Sequence, residues 1–209
     1  MDCAEKLTPA TTTKNGSIKS VCAACGDVAS SKTIYKASKV KLSFKEKTYT
    51  GKKMSPKVTV KDSKGNVIPS KYYTISKPSG RKNVGKYTYT IKFKGIYSGT
   101  KKLTLTIKPK APTLNKPVAG KKAVTVKWKK GQKSQVTGYE VRVATNSKFT
   151  KNVKKATVTK YSTVSKKMTK LKAKTKYYVQ VRAYKTVKVN GKKVKIYSAW
   201  SKYKTCKTR

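Results

Sequence analysis

The step Cys22-Ala23-Ala24-Cys25-Gly26 is the one local cluster that could do chemistry. Two thiolates in this spacing can grip one metal ion, and glycine permits the turn between them. Cys3 would be a third ligand. A fourth would have to be Cys206 or an acid, because the chain has no histidine. Zinc held by Cys3, Cys22 and Cys25 is therefore one reading. A disulfide, for instance between Cys3 and one of the pair, is a second, and free thiols are a third. Four cysteines allow three full pairings, and sequence does not choose among them.

Other chemistry is scarce. The acids are Asp2, Glu5, Asp27, Glu46, Asp62 and Glu140, scattered singly along 209 residues. No local carboxylate pair stands ready for acid–base work. A serine or cysteine nucleophile would lack its histidine base. Carboxylate-rich calcium or magnesium sites are short of ligands. These absences argue against an enzyme.

The chain carries 54 Lys and Arg against 6 Asp and Glu, a net charge of +48. Such a charge repels itself and draws anions: phosphate polymers, acidic polysaccharides or lipid headgroups. Sequence-independent binding to nucleic acid at low salt follows from the charge alone. Tyr72, Tyr73, Tyr87, Tyr89 and Tyr97 interleave with lysines, a mixture that can stack on single-stranded bases. It is equally the mixture of ordinary cross-strand pairs. No stretch approaches the roughly 18 apolar residues of a membrane span. The N-terminus Met1-Asp2-Cys3-Ala4-Glu5-Lys6 has no hydrophobic signal region, so the chain either stays where it is made or is part of a longer exported one.

The elements that must position these residues are strands. Apolar and polar residues alternate in Val40–Phe44, Val58–Lys61, Tyr87–Phe93 and Leu103–Ile107. Val67-Ile68 and Tyr72–Ile75 add shorter runs. Asn15-Gly16, Asp62–Asn66 and Asn190-Gly191 read as turns. About seven short strands between residues 33 and 109 argue for a small sandwich. The prolines of Lys108–Pro112 make a semi-stiff joint. Beyond it, Val124, Val126 and Trp128 share one strand face, as do Tyr139, Val141 and Val143, and Tyr177, Val179, Val181 and Ala183. Leu171 and Tyr177 flank a corner at which the tyrosine hydroxyl can tie the strand to upstream backbone. Tyr197–Ser201 reads as the start of a last strand.

Residues 111–207 resemble a fibronectin type III domain. The resemblance rests on Pro112, Trp128, Gly138-Tyr139, Leu171 with Thr175 and Tyr177-x-Val179-x-Val181-x-Ala183, and Ser198-x-Trp200-Ser201. The lysine-rich hairpin Lys185–Lys195 is longer than many members carry. Residues 33–109 are similar to a small bacterial immunoglobulin-like domain, on Tyr49-Thr50-Gly51, Pro56-x-Val58-x-Val60-Lys61-Asp62, Asn83–Tyr87 and Tyr97-Ser98-Gly99. Residues 10–35 resemble the second half of a short cysteine-knuckle repeat.

The expected organisation is all-β: a cysteine-bearing hairpin segment at 1–32, an immunoglobulin-like sandwich at 33–109 and a fibronectin type III domain at 110–209. Together these modules are similar to surface and secreted proteins of gut Gram-positive anaerobes. The resemblance implies an exported, non-catalytic chain. Its expected partners are anionic surface polymers, glycans or a host cell-surface protein. A structural spacer and a sequence-independent polyanion binder are the alternatives. Trp128, Tyr139, Leu171 and Tyr177 are expected to be structural. Trp200 is expected to stack with Arg182 or lysines, the rival role being an open platform for a sugar or base.

Overall fold

The computed structural model describes residues 2–209. Among these residues every regular element except a single 3-10 turn at Ser70–Tyr72 is a β-strand. The chain divides into two compact units. The first takes in the described residues up to Lys45, with Met54–Ser79 and Tyr87–Leu105. The second takes in Glu46–Lys53, Gly80–Lys86 and Thr106–Arg209.

The first unit begins with β1 (Cys3–Thr8), β2 (Gly16–Cys22) and β3 (Val28–Ile34), an antiparallel sheet in the order β1-β2-β3. β1 is exposed throughout, and β3 is exposed up to Ile34. Backbone hydrogen bonds rather than an apolar face hold these strands. Their sequences therefore lack the alternation that marks a half-buried strand. Asn15-Gly16 is not the tight turn its composition suggests. The turn lies earlier, where the Thr11 N–H donates to the Lys14 carbonyl (2.9 Å) and the Lys14 N–H donates to Thr11 Oγ1 (2.8 Å). Asn15 Oδ1 accepts from the Lys36 N–H instead. Gly16 is needed for space, because a Cβ there would sit 2.2 Å from the Thr8 carbonyl oxygen.

Next come β4 (Lys39–Leu42), β5 (Glu46–Thr48), β6 (Val58–Lys61), β7 (Tyr73–Ser76), β8 (Gly85–Phe93) and β9 (Thr100–Lys108). β4 pairs with β6, while β9, β8 and β7 lie side by side. Tyr89, Ile91 and Phe93 point inward from β8 and are buried with Val40, Leu42, Val60, Ile68 and Leu105. Ala10 is fully buried in this unit, bridged to Tyr97. The expected Val67-Ile68 strand is reduced to one bridge between Lys61 and Val67. Residues Glu46–Thr48 of β5 pair in parallel with Thr106–Lys108 of β9, joined by a Glu46–Lys108 ion pair.

Asp62 organises the turn after β6. Its carboxylate accepts from the Gly65 N–H (2.7 Å), the Asn66 N–H (2.9 Å) and Asn66 Nδ2 (3.0 Å). Gly65 takes φ 104°, a backbone region that favours glycine. Burial alone would raise the Asp62 pKa. The Asn66 side chain and the backbone N–H groups outweigh it and hold the carboxyl below its ordinary 3.8. A carboxyl depressed in the folded state stabilises the fold above its unfolded pKa and loses that contribution as pH falls through the folded one. The melting temperature of this unit should therefore drop below about pH 4. Asp62→Asn should melt lower at neutral pH and show a flatter acid limb in circular-dichroism melts. Parallel acid limbs for the two proteins would contradict this assignment.

The second unit holds β10 (Val118–Gly120), β11 (Ala123–Lys127), β12 (Gly138–Ala144), β13 (Lys154–Val158), β14 (Ser165–Met168), β15 (Lys176–Val189), β16 (Lys192–Tyr197) and β17 (Lys204–Lys207). One sheet runs β10-β11-β14. The other runs β13-β12-β15-β16, with β17 also on β15. Val124, Val126 and Trp128 meet Tyr139, Val141, Val143, Tyr177, Val179 and Val181 in one buried cluster. The opposite face of β12 and β15 carries Glu140, Arg142, Gln180 and Arg182. At the tip of the β15–β16 hairpin, Asn190 and Gly191 take φ 49° and 77°, the geometry of a type I′ turn.

The segment after Tyr197 departs from the sequence reading. Residues 198–203 form no strand, and the last strand begins at Lys204. The serines explain the difference. Ser198 Oγ accepts from the Ala183 N–H (2.9 Å) and Ser201 Oγ from the Val181 N–H (3.2 Å). Both serine N–H groups donate to the carbonyls of the same two residues, at 2.9 Å. Side chain and backbone together satisfy the free edge of β15 without a continuous ladder.

Candidate functional site

The cysteines named from sequence lie at the start of the first unit. Register places Cys3 directly opposite Cys22 on β1 and β2. Cys22 is buried, while Cys3 and Cys25 are exposed. Cys25 follows a turn closed by the Gly26 N–H donating to the Cys22 carbonyl at 3.0 Å. Hydrogen bonds to the Cys22 sulfur from the Cys25 backbone and thiol, then from Ala24, hold the Cys22 pKa below its ordinary 9.0. Among the described residues no three His, Cys, Asp or Glu side chains are grouped as a metal ion requires. Cys206 belongs to the second unit, on β17 opposite Tyr177, and burial raises its thiol pKa.

In the second unit, Trp128 is buried with its ring 5.2 Å from that of Tyr139, at 58°. The Tyr139 hydroxyl accepts from the Gly131 N–H (2.8 Å) and donates to the Tyr161 carbonyl (3.0 Å). Leu171 is buried at the corner, where the Tyr177 hydroxyl accepts from the Lys172 N–H at 3.0 Å. Thr208 closes the same corner. Its Oγ1 accepts from the Thr175 N–H (3.0 Å) and donates to the Lys172 carbonyl (2.6 Å). These side chains set the frame; the tyrosine and threonine hydroxyls are paired within it, while the buried Trp128 Nε1 has no hydrogen-bond partner among the described residues.

Trp200 joins a layered stack on the outer face of β12 and β15. The Arg142 guanidinium lies 4.1 Å from the Trp200 ring centre and 4.2 Å from that of Phe149. The Arg182 guanidinium lies 4.4 Å from Trp200 and 3.8 Å from Tyr197. Gln180 Oε1 accepts twice from Arg142, at 2.9 and 2.6 Å, and Arg182 pairs with Glu140. Burial, and then the neighbouring Arg182, lower the Arg142 pKa from its ordinary value. Two guanidiniums lie over the half-buried Trp200 ring. The sequence reading found Arg182 as a partner and missed Arg142, Phe149 and Tyr197. A signal was present. Arg81, Arg142, Arg182 and Arg209 are the only arginines in a chain whose other cations are lysines. Planar guanidinium stacks where a lysine ammonium does not.

The remaining charge is arranged unusually. Register sets lysine directly opposite lysine at Lys6 and Lys19, Lys39 and Lys61, Lys176 and Lys207, and Lys188 and Lys193. Arg142 likewise faces Lys155. Like charges in direct cross-strand register destabilise a sheet. The β15–β16 hairpin carries one of these pairs, Lys188 and Lys193. Lys188, Lys193 and Lys195 are exposed on the face that also carries Tyr184 and Tyr197, with the Lys195 ammonium 4.5 Å from the Tyr184 ring centre.

Comparison with known proteins bears on this second unit. The family model described as fibronectin type III domain matches residues 108–197. That stretch, a little under half of the chain, is similar to a fibronectin type III domain. The arginine stack, the tyrosine corner and the lysine hairpin are all built on that stretch or on the segment directly after it. No curated protein matches the chain's sequence. Among solved structures, the FN1-FN3 domains of chicken CNTN1 align over 94% of this chain and 78% of theirs, at 16% identity and TM-score 0.41. Domains from titin align over 98% and 83%, at 12% identity and TM-score 0.39. A structure described as that of a myokine covers 48% of this chain and 97% of its own, at 20% identity and TM-score 0.37. Among the described residues no helix is long and apolar enough to cross a membrane.

Proposed function

We propose that the chain is a non-catalytic binding module of a secreted or cell-surface protein, and that its partner is an anionic surface polymer. One observation carries the reading: lysine stands directly opposite lysine on four pairs of strands, one of them the β15–β16 hairpin, where Lys195 also lies exposed on the same face. Such pairs oppose folding, and a bound polyanion relieves the repulsion. Acids do little to relieve it from within. Asp62 is committed to its own turn, Glu140 to Arg182 and Glu46 to Lys108.

The hairpin presents cations beside aromatic rings, which suits a chain of phosphates or uronates better than a neutral sugar. The frame residues Trp128, Tyr139, Leu171 and Tyr177 hold that face and take no part in binding. The test is titration of the full chain with a poly(glycerol phosphate) and with an uncharged glucan of similar length. The phosphate polymer should bind, with log affinity falling linearly against log salt between about 50 and 200 mM, and the glucan should not bind. No binding to the phosphate polymer at the lowest salt would overturn the proposal in favour of a spacer role. Equal affinity for unrelated DNA would reduce it to charge alone.

A further inference from the structure

We propose that Cys3 and Cys22 close a cross-strand disulfide that staples β1 to β2 and leaves Cys25 as an exposed free thiol. The strand register carries the inference. Cys3 and Cys22 are direct partners. The Cys22 N–H is turned away from β1 and donates to the Asp27 carbonyl at 2.8 Å. The Ala23 N–H donates to the Asp2 carbonyl at 3.0 Å, so the hydrogen-bonded site is the neighbouring one. Cys3 and Cys22 therefore form a non-hydrogen-bonded pair, in which Cα atoms lie about 4.5 Å apart and both side chains leave the same face. That separation falls inside the range of about 4.4–6.8 Å that disulfides span.

The staple answers a structural need. β1 buries none of its six residues, so burial does nothing to keep it on the sheet. A covalent bond at its first residue would limit its fraying. Cys25 is the competitor, since its thiol hydrogen-bonds to the Cys22 sulfur. Strand register favours Cys3, which is already aligned within the sheet, whereas Cys25 lies beyond a turn.

The oxidant is a low-molecular-weight disulfide. One cysteine thiolate attacks it, forming a mixed disulfide and expelling one small thiolate, which takes up the cysteine's proton. The second cysteine, deprotonated in turn, attacks the protein sulfur and expels the other small thiol. Two cysteine thiols and one small disulfide become one protein disulfide and two small thiols.

The experiment treats the reduced full chain with glutathione disulfide, alkylates the remaining thiols, and maps peptides without reduction. The expected products are a Cys3–Cys22 linked pair with Cys25 alkylated, and the same link in Cys25→Ser. Cys3→Ser should not form it. Amide exchange across residues 3–8 should slow about tenfold on oxidation. A Cys22–Cys25 link, the absence of any intramolecular link, or zinc retention with all three thiols shielded from alkylation would each overturn the proposal.

Discussion

Trp128→Ala is expected to cost the fibronectin-like domain about 3–5 kcal/mol, the range for removing a large aromatic from a packed core. The ring is 2% exposed and rests against Tyr139. It also joins both sheets, through Val124 and Val126 on its own strand side and Val141, Tyr177 and Val179 opposite. Its backbone N–H donates to the Val164 carbonyl, and it bridges to Leu114, so the cavity would open where three segments meet. Such a loss is comparable with the whole stability of many domains, roughly 5–15 kcal/mol. Trp128→Phe keeps part of the volume and should fall between wild type and alanine. Urea unfolding followed by the fluorescence of Trp200, the one tryptophan left, measures both. A loss below about 1 kcal/mol for the alanine variant would show that this side chain does not anchor the core.

The strands of the fibronectin-like domain were legible because each buries one face. Tyr139, Val141 and Val143, or Tyr177, Val179 and Val181, announce themselves by alternation. β1 and β3 gave no such signal. Their side chains are exposed, and backbone pairing alone makes them strands. β5 is three exposed residues in a parallel pair, too short for any period. Tyr197–Ser201 read as the start of the last strand, yet serine hydroxyls replace the ladder there. Cys22 and Cys25 were visible as a pair. What escaped was the register that brings Cys3 opposite Cys22: Ser17–Val21 read as a short strand leading into Cys22, but β1 could not be placed from pattern. Cross-strand lysine pairs were hidden for the same reason: composition shows the charge, while only register shows which lysine faces which.

Reversing the charge of Lys188, Lys193 and Lys195 together is the second large expected effect. Each lysine close to an anionic surface contributes about 1 kcal/mol. Reversing three should weaken binding to poly(glycerol phosphate) at least about a hundredfold and flatten its salt dependence. The hairpin should survive the change, since its Asn190-Gly191 turn and its Val187–Val194 pairing are untouched and the Lys188–Lys193 repulsion becomes no worse. Lys121, Lys133 and Lys148, exposed in turns of the same domain, supply a control with the same change in net charge.

The decisive measurement is the affinity of the wild type and the two triple Lys→Glu variants for that polymer at one salt concentration. The account predicts a loss of about a hundredfold for the hairpin variant and under tenfold for the turn variant. Equal losses would contradict it, because binding would then follow net charge and no face of the sheet would be a site.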